Sequence, residues 1–214
     1  MLVSTCPVVL AISSRVSKHA ALVSLLALLL PFPAATQTNR AEFLAKLSSA
    51  AIERTHHSVR YVSSYVHIPY PGGDVPAETG VCTDEVIRSY RALGIDLQRE
   101  VHEDMLRDFN AYPHGHQRQP DTSIDHRRVP NLMVFFAHRG IQLSITQNSR
   151  DYTPGDVVAW NLGGGSTHIG IVVNQRGRSG SYSLVHNIGR GPQMEDVLFN
   201  WKIIGHYQYF GPRG

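Results

Sequence analysis

The stretch DVVAWNLGGGSTHIGIVV, residues 156–173, marks the point where the sequence pattern changes from helical to extended. Segments 156–160 and 168–173 are rich in β-branched and aromatic residues, as are 182–187 (YSLVHN) and 205–210 (GHYQYF), with 197–201 a further candidate strand. Upstream, apolar residues recur at helical spacing in 40–52, 82–93, 100–109 and 131–136. Helices followed by strands predict an α+β fold, with N-terminal helices packed on an antiparallel β-sheet.

The N-terminal segment has the order of a secretory signal peptide. Arg15 and Lys18 precede the apolar run AALVSLLALLL at 20–30, and small residues follow at 34–36. The run is shorter than the roughly 20 apolar residues that span a bilayer, although a retained membrane anchor is the alternative. The sequence therefore predicts a signal peptide over 1–36 and one domain over 37–214. It also predicts export to the periplasm or beyond, without stable membrane insertion after cleavage.

The charge balance excludes a nucleic-acid-binding footprint. The chain has 20 Lys and Arg against 17 Asp and Glu, and removal of Arg15 and Lys18 with the signal peptide leaves it near neutral. The glycines at 163–165 do not form a phosphate loop, because no lysine follows them and no helix begins there. We therefore predict no nucleic-acid partner and no cofactor.

One cysteine remains after the predicted cleavage. The chain has two cysteines, and loss of Cys6 with the signal peptide leaves Cys82 without a disulfide partner. An unpaired cysteine in an exported protein indicates a reactive thiol or an intermolecular bridge, and a buried structural thiol is the alternative. Thr79 or Gly80 is the predicted N-cap, which puts Cys82 in the first turn of its helix. The helix dipole there lowers a thiol pKa from its free value near 8.5.

Two histidines are predicted to lie beside this thiol. His168 begins a strand after the glycine-rich loop 163–167, and His186 lies in the next strand. If these strands pair as a hairpin, the two rings are neighbours on one face. We then expect Cys82 as nucleophile, His168 as base and His186 as the group that orients the base, with Asn187 as the second choice. Two hydrogen-bonded structural histidines at a sheet edge are the alternative.

Four further residues are candidates for substrate binding. Asp84 and Asp104 could bind an amine or another cation, unless they are solvated helix carboxylates. Arg127 and Arg128 could bind an anionic substrate group by a bidentate contact, and a structural salt bridge is the alternative. We predict no metal site, because no H-E-x-x-H pattern occurs. The weaker metal candidates are His114, His116 and His126.

Several motifs, in this order, resemble those of the bacterial NlpC and CHAP cell-wall hydrolases, which are papain-like cysteine peptidases and amidases. The motifs are YPGGD (70–74), GVCTDEVIRSY (80–90), TPGDVVAW (153–160), THIGIVV (167–173) and LVHN (184–187). The whole run 70–209 also resembles an exported bacterial family described only as a domain of unknown function. Val81 stands where the hydrolases usually have Asp, and the segment 96–149 is longer than theirs. This insert is expected to cover or narrow the cleft.

The resemblance implies a papain-like fold and hydrolysis of an amide bond in peptidoglycan stem peptides, by an endopeptidase or an amidase. It also implies that Tyr70 lines the active site, where its hydroxyl and the Cys82 backbone N–H stabilise the oxyanion. Peptidoglycan or a peptide is then the partner. The alternatives are a non-catalytic wall-binding module, a thiol acyltransferase or lipid-directed enzyme of the same clan, and, more remotely, a zinc hydrolase. The oligomeric state and the bond that is cut stay open.

Overall fold

The computed structural model describes Met1 and residues 34–212, with side chains from residue 39. The described part contains four α-helices: α1 (Ala34–Arg54), α2 (Cys82–Arg91), α3 (Leu97–Arg107) and α4 (Val129–Arg139). It also contains eight strands: β1 (Arg60–Tyr61), β2 (Thr79–Gly80), β3 (Ile141–Gln142), β4 (Val157–Gly163), β5 (Ser166–Arg176), β6 (Tyr182–His186), β7 (Gln193–Glu195) and β8 (Lys202–Gln208). The predicted signal peptide lies outside the described residues except for Met1 and 34–36. None of the described helices is long and apolar enough to cross a membrane.

Six strands form one antiparallel sheet in the order β3-β8-β4-β5-β6-β7, and β1 and β2 form a small parallel pair. Helices α1 and α2 pack on β5, and α4 packs on β5 and β8. The predicted α+β class, with N-terminal helices on an antiparallel sheet, is therefore confirmed. Continuous runs of buried residues along β4, β5 and β6 show that both faces of the central strands are covered.

Helix α2 begins one to two residues later than predicted. Its N-cap is Val81, because Thr79 and Gly80 form β2 instead. Val81 has no side-chain acceptor to cap the helix, and its own backbone N–H donates to Asp84 Oδ2 at 2.7 Å. This half of a capping box fixes the first turn, which carries Cys82. The predicted apolar face is confirmed, since Val86 and Tyr90 are almost fully buried.

Other boundaries differ from the prediction for identifiable reasons. Helix α3 begins at Leu97 because the Asp96 carboxylate accepts hydrogen bonds from the backbone N–H groups of Gln98 and Arg99, at 3.1 and 3.3 Å. Helix α4 begins at Val129, two residues before the predicted start, with a proline in its first turn. The candidate strand at 197–201 is a turn.

The loop motif YPGGDVP (70–76) joins two helices to the small parallel sheet. Asp74 accepts hydrogen bonds from Arg88 Nε at 2.9 Å and from Arg91 Nη1 at 2.8 Å. The backbone N–H of Gly73 donates to Gln98 Oε1 at 2.9 Å. This motif therefore ties the loop to α2 and α3, and its acidic residue has a structural role.

The Pro-Gly-Asp motif (154–156) ends in a fully buried carboxylate directly before β4. Asp156 accepts from His206 Nε2 at 2.8 Å, from Gln208 Nε2 at 2.7 Å, and from the backbone N–H and hydroxyl of Thr153 at 2.8 and 3.1 Å. His206 also stacks on Tyr152, with ring centroids 4.2 Å apart. One side chain thus fixes the turn before β4 and the end of β8.

Removing this carboxylate is expected to destabilise the fold strongly. Asp156→Ala should lower the free energy of unfolding by about 3 kcal/mol or more, because buried donors on His206 and Gln208 lose their acceptor. Urea denaturation measures the change. Asp151→Ala is the matched control, since this exposed carboxylate accepts only local hydrogen bonds from Thr146 and Asn148. Equal effects of the two substitutions would contradict the assignment.

Candidate active site

Cys82 is the first residue of α2, and its thiol lies against the start of β5. The side chain is buried, with 5% of the residue exposed. The backbone N–H groups of Ile169, Thr83 and Cys82 itself lie near enough to the sulfur to lower its pKa. Ile169 directly follows His168 in β5, so the helix start and the histidine strand meet at the thiol.

The ionisation of the thiol differs from the prediction. Burial raises the pKa of Cys82 to about 12, although the Ile169 N–H lowers it; the Asp84 charge raises it further. The helix start does favour a thiolate, as expected, but the loss of hydration outweighs that effect. The resting cysteine is therefore a neutral thiol, and the predicted low pKa is wrong for this conformation.

His168 and His186 are joined by a hydrogen bond. The distance between His168 Nε2 and His186 Nδ1 is 3.0 Å, and both rings are buried. Strands β5 and β6 pair antiparallel, as the hairpin prediction requires. Gly170 allows the close approach, because a Cβ there would lie 2.8 Å from the Val185 carbonyl oxygen and 3.1 Å from His186 Cβ. The bond uses His168 Nε2 and leaves Nδ1 as the ring nitrogen that this bond does not occupy.

Two tryptophans enclose this histidine pair. Trp160 stacks on His168 with ring centroids 5.7 Å apart, and Trp201 lies edge-on to both histidines at 6.1 and 6.3 Å. Burial, and then the charge of His186, lowers the pKa of His168 to about 3. Burial also lowers the pKa of His186, against an opposing effect of Glu195. Both rings are therefore neutral near pH 7, which suits His168 as a proton acceptor.

Glu195 is a site residue that the sequence reasoning missed. Its Oε2 lies 3.1 Å from His186 Nε2, without the alignment of a good hydrogen bond. The carboxylate, 41% exposed, favours a proton on His186 Nε2. His186 Nδ1 is then an acceptor, His168 Nε2–H is the donor, and His168 Nδ1 carries the free lone pair. We assign these tautomers from the hydrogen-bond network.

A tyrosine lies at the site, but it is Tyr61 and not the predicted Tyr70. Burial, and then the charges of Cys82 and Asp84, raise the pKa of Tyr61, which places its phenol beside the thiol. The predicted Tyr70 is 40% exposed and packs edge-on to His102 of α3, with ring centroids 4.9 Å apart. Loop 70–76 is held to α2 by Asp74 and to α3 by the Gly73 N–H, so Tyr70 packs beside α3.

Asp84 and Arg127, predicted as substrate-binding residues, bind each other. Arg127 Nε and Nη2 donate to the two Asp84 oxygens at 2.8 and 3.0 Å, and both side chains are almost fully buried. The Asp84 carboxylate also accepts from the Val81 N–H. A role for Asp84 in binding a substrate amine is therefore corrected to a structural ion pair. For Arg127 the alternative of a structural salt bridge is confirmed, because two of its three side-chain nitrogens bind Asp84.

The remaining predicted residues fall into three places. Asp104 accepts from the Tyr112 hydroxyl at 2.6 Å and contacts His138 Nδ1 at 2.9 Å, so its predicted role in the cleft is corrected to a structural one. Asn187 uses Oδ1 to accept from the Gly189 N–H at 3.1 Å, and His186 is the residue that contacts the base. Arg128 is half-buried, and its Nη1 donates to Gln117 Oε1 at 2.8 Å.

A cavity of about 300 Å³ opens onto the thiol. We call it the Cys82 cavity. Its lining includes Cys82 and Tyr61, together with Ser63, Arg127, Arg128 and Asn131. Tyr70, Asp104, His168 and His186 are not among the described residues that line it. Several residues between 113 and 131 of the predicted insert do line it, so the insert contributes to the wall of this cavity.

The weaker metal candidates do not come together. Over residues 34–212, no three His, Cys, Asp or Glu side chains are grouped so that they could hold a metal ion. His126 is buried, and burial, followed by the charge of Arg127, lowers its pKa to about 4. His114 stacks on Phe109, with ring centroids 4.2 Å apart. His114 and His126 therefore have packing roles in the insert.

Comparison with known proteins gives a family match. Residues 48–209 match the family model described as domain of unknown function, DUF1287. "Uncharacterized protein YijF" of Escherichia coli (strain K12) is 46% identical over 165 residues, which cover 77% of this chain and 80% of that protein. The resemblance to a domain of unknown function, predicted from the motifs, is confirmed at this level.

Two solved structures are also similar to this chain. They are the structures of NlpC1 and NlpC2 from Trichomonas vaginalis, with TM-scores of 0.42 and 0.41 at 12% and 13% identity. They match 78% and 77% of this chain, which spans only 44% and 47% of those structures. A likeness at these TM-scores is too weak to assign a function.

Proposed function

We propose that this chain, which belongs to the DUF1287 family of domains of unknown function, is a papain-like cysteine hydrolase that cleaves an amide bond. The observation that carries the proposal is the buried hydrogen bond between His168 and His186, located where β5 meets the thiol of Cys82. A nucleophile, a base and a group that orients the base are the three parts of nucleophilic catalysis.

In the proposed reaction, Cys82 Sγ attacks the substrate carbonyl carbon as His168 Nδ1 takes the thiol proton. The transfer accompanies the attack, because the high pKa of the thiol and the low pKa of the ring disfavour a resting ion pair. His168 then gives the proton to the leaving amine, whose C–N bond breaks. Water, activated by the same ring, attacks the thioester and regenerates the thiol.

The oxyanion is stabilised by donors at the helix start. The Cys82 backbone N–H is one of the unpaired donors of the first turn of α2. The Tyr61 hydroxyl takes the part that the sequence predicts for Tyr70, because Tyr61 lies beside the thiol. Each such donor contributes roughly 3 kcal/mol in enzymes where it has been removed.

Peptidoglycan stem peptides are the proposed substrate, cleaved outside the cytoplasmic membrane by an endopeptidase or amidase activity. This part of the proposal is supported by the signal-like order of residues 1–36 and by the motif resemblance. Incubation of the purified protein with peptidoglycan fragments, followed by mass spectrometry, tests it. We expect fragments that have gained one water across an amide bond. Intact fragments after prolonged incubation would count against the proposal.

A non-catalytic wall-binding module is the second candidate, and one observation favours it. The thiol is buried and its pKa is raised, as expected of a structural cysteine. Such a module would bind intact peptidoglycan without cleaving it, and replacing Cys82 would not change its affinity. The hydrolysis assay and a pull-down with insoluble peptidoglycan therefore separate the two candidates.

Glu195→Gln is expected to slow turnover by about tenfold without unfolding the protein. His186 then loses the carboxylate that favours its Nε2–H tautomer, and His168 is oriented less well as a result. KM should change little, since Glu195 acts through His186. Loss of the carboxylate also removes the effect that raises the His186 pKa, so the acid limb of the kcat/KM profile should move to lower pH.

The control for this variant is Glu78→Gln, which neutralises an exposed carboxylate next to β2. It should leave both kcat and the pH profile unchanged. An unmoved acid limb in Glu195→Gln would contradict the assignment, even if the rate fell.

A further inference from the structure

The Cys82 cavity is lined by a buried arginine that has a free nitrogen. Arg127 uses Nε and Nη2 for Asp84, and its side chain is 2% exposed. Its Nη1 is buried and has no hydrogen-bond partner within the described part of the chain. Guanidinium nitrogens carry N–H donors that are costly to leave unpaired away from water. An arginine with one unused edge in the wall of a cavity is therefore suited to bind an anion.

A second unpaired polar atom lies in the wall of the same cavity. Asn131 Nδ2 donates to the Asp125 backbone oxygen at 3.1 Å, which fixes the amide. Asn131 Oδ1 is buried and accepts nothing from the described residues. Two residues that line the cavity therefore each have a buried polar atom, one donor and one acceptor, with no partner among the described residues. An amino-acid unit presents the complementary pair, a carboxylate and an amide N–H.

The charge of the residues that line the cavity also favours an anionic ligand. Arg127 and Arg128 both line the cavity, whereas none of its described lining residues is Asp or Glu. Asp84 lies behind the wall and neutralises only one of the two arginines. Arg128 contacts the neutral Gln117 and forms no ion pair with a residue of the described chain. The cavity beside the thiol is therefore complementary to a negative group.

We propose that this cavity binds the free carboxylate of a peptide residue next to the amide that Cys82 attacks. Arg127 Nη1 donates to the carboxylate, and Asn131 Oδ1 accepts the N–H of the same residue. Arg128 adds charge at the mouth of the site. The inference rests on the proposed function, which it narrows to substrates that have a free carboxylate beside the scissile amide.

Binding of a small probe to the Cys82→Ser protein, whose turnover is expected to be negligible, tests the site without hydrolysis of the probe. N-acetylglycine carries the carboxylate and the amide N–H, and N-acetylglycinamide is its neutral match. Titration of the purified protein, followed by NMR, should show the carboxylate binding at least about tenfold more tightly than the carboxamide. Equal affinities of the two probes would overturn the proposal. So would the absence of binding by either probe in a buffer of low ionic strength, on the order of a few mM.

Substitutions then locate the site. Arg127→Gln should abolish the preference for the carboxylate, but it also breaks the pair with Asp84 and could fail to fold. Ser63→Glu avoids that risk, because it puts a negative charge on an exposed residue of the lining. We expect it to weaken N-acetylglycine about tenfold and to leave N-acetylglycinamide unchanged. Ser64→Glu adds the same charge to the next residue, which is outside the lining, and equal effects of the two would overturn the site.

A matched pair of peptides separates this inference from the proposed function. One ends in a free carboxylate next to the scissile amide, and the other ends in a carboxamide. If the probe discriminates but neither peptide is cleaved, the carboxylate site stands and the hydrolase proposal fails. If both peptides are cleaved with equal kcat/KM and the probe does not discriminate, the carboxylate site alone is overturned. A third peptide carries its carboxylate on a side chain. It shows whether the site binds a side-chain carboxylate or a C-terminal carboxylate.

Discussion

Cys82→Ser is expected to lower the rate of amide hydrolysis by at least about 10⁴-fold, because a serine hydroxyl is a far weaker nucleophile beside the same base. The fold should change little, since the two side chains are similar in size and Cys82 has the small exposed fraction of a well-packed residue. Mass spectrometry of peptidoglycan fragments measures the rate, and thermal denaturation checks the fold. A folded Cys82→Ser protein with full turnover would contradict the mechanism.

Alkylation of the thiol provides a second measurement of the same proposal. Burial raises the pKa of Cys82 to about 12, so iodoacetamide should react slowly at pH 7 and faster only well above pH 9. The same protein in urea is the matched control, where the reaction should follow the ordinary thiol pKa near 8.5. Fast reaction of the folded protein at pH 7 would mean that the resting site holds a thiolate.

The sequence was sufficient to predict that the rings of His168 and His186 are neighbours and that Cys82 begins a helix. His168 and His186 lie in consecutive strands with an extended pattern, and consecutive strands pair often enough that their register brings the rings together. Cys82 is preceded by a loop and followed by a helical apolar face, which locates it at a helix start. Local patterns and one hairpin therefore determine this part of the site.

Residues that join the site by long-range contacts could not be predicted. Glu195 reaches His186 only because the three-residue strand β7 pairs with β6, and so short a strand has no periodic signal. Tyr61 is on a two-residue strand that pairs with β2 in parallel, so a tyrosine nearer the glycine loop was the more natural choice. Asp84 and Arg127 are 43 residues apart, and no local sequence pattern predicts that they pair.

The pKa of the thiol shows a different limit. A helix start can be read from the sequence, and its effect on a thiol is favourable to the anion. The depth of burial depends on β5 and on the insert that packs against the site, and neither can be measured from spacing. Desolvation is the larger effect here, so the predicted direction of the pKa was reversed.

Acidification is expected to destabilise the protein well before its carboxylates titrate. His126, His168 and His186 are buried, and burial lowers the pKa of each, to about 4 for His126 and about 3 for His168. The folded state therefore keeps these rings neutral between pH 6.5 and 5, whereas the unfolded chain takes up protons there. Stability is present above pH 6.5 and is lost as the pH falls.

The expected loss is about 2 kcal/mol for each of His126 and His168 as the pH falls to 5, and His186 adds a loss in the same direction. Urea denaturation at pH 7.5 and at pH 5 measures it. His126→Gln should reduce the loss by about 2 kcal/mol, because glutamine does not titrate, whereas His56→Gln in the exposed turn after α1 should leave it unchanged. Burial raises the pKa of Glu85 and Asp125, so these carboxylates oppose the trend, chiefly below pH 5. A free energy of unfolding that is equal at pH 7.5 and pH 5 would show that the histidine pair is accessible to protons in the folded protein. The neutral base that the mechanism requires would then be lost in mild acid.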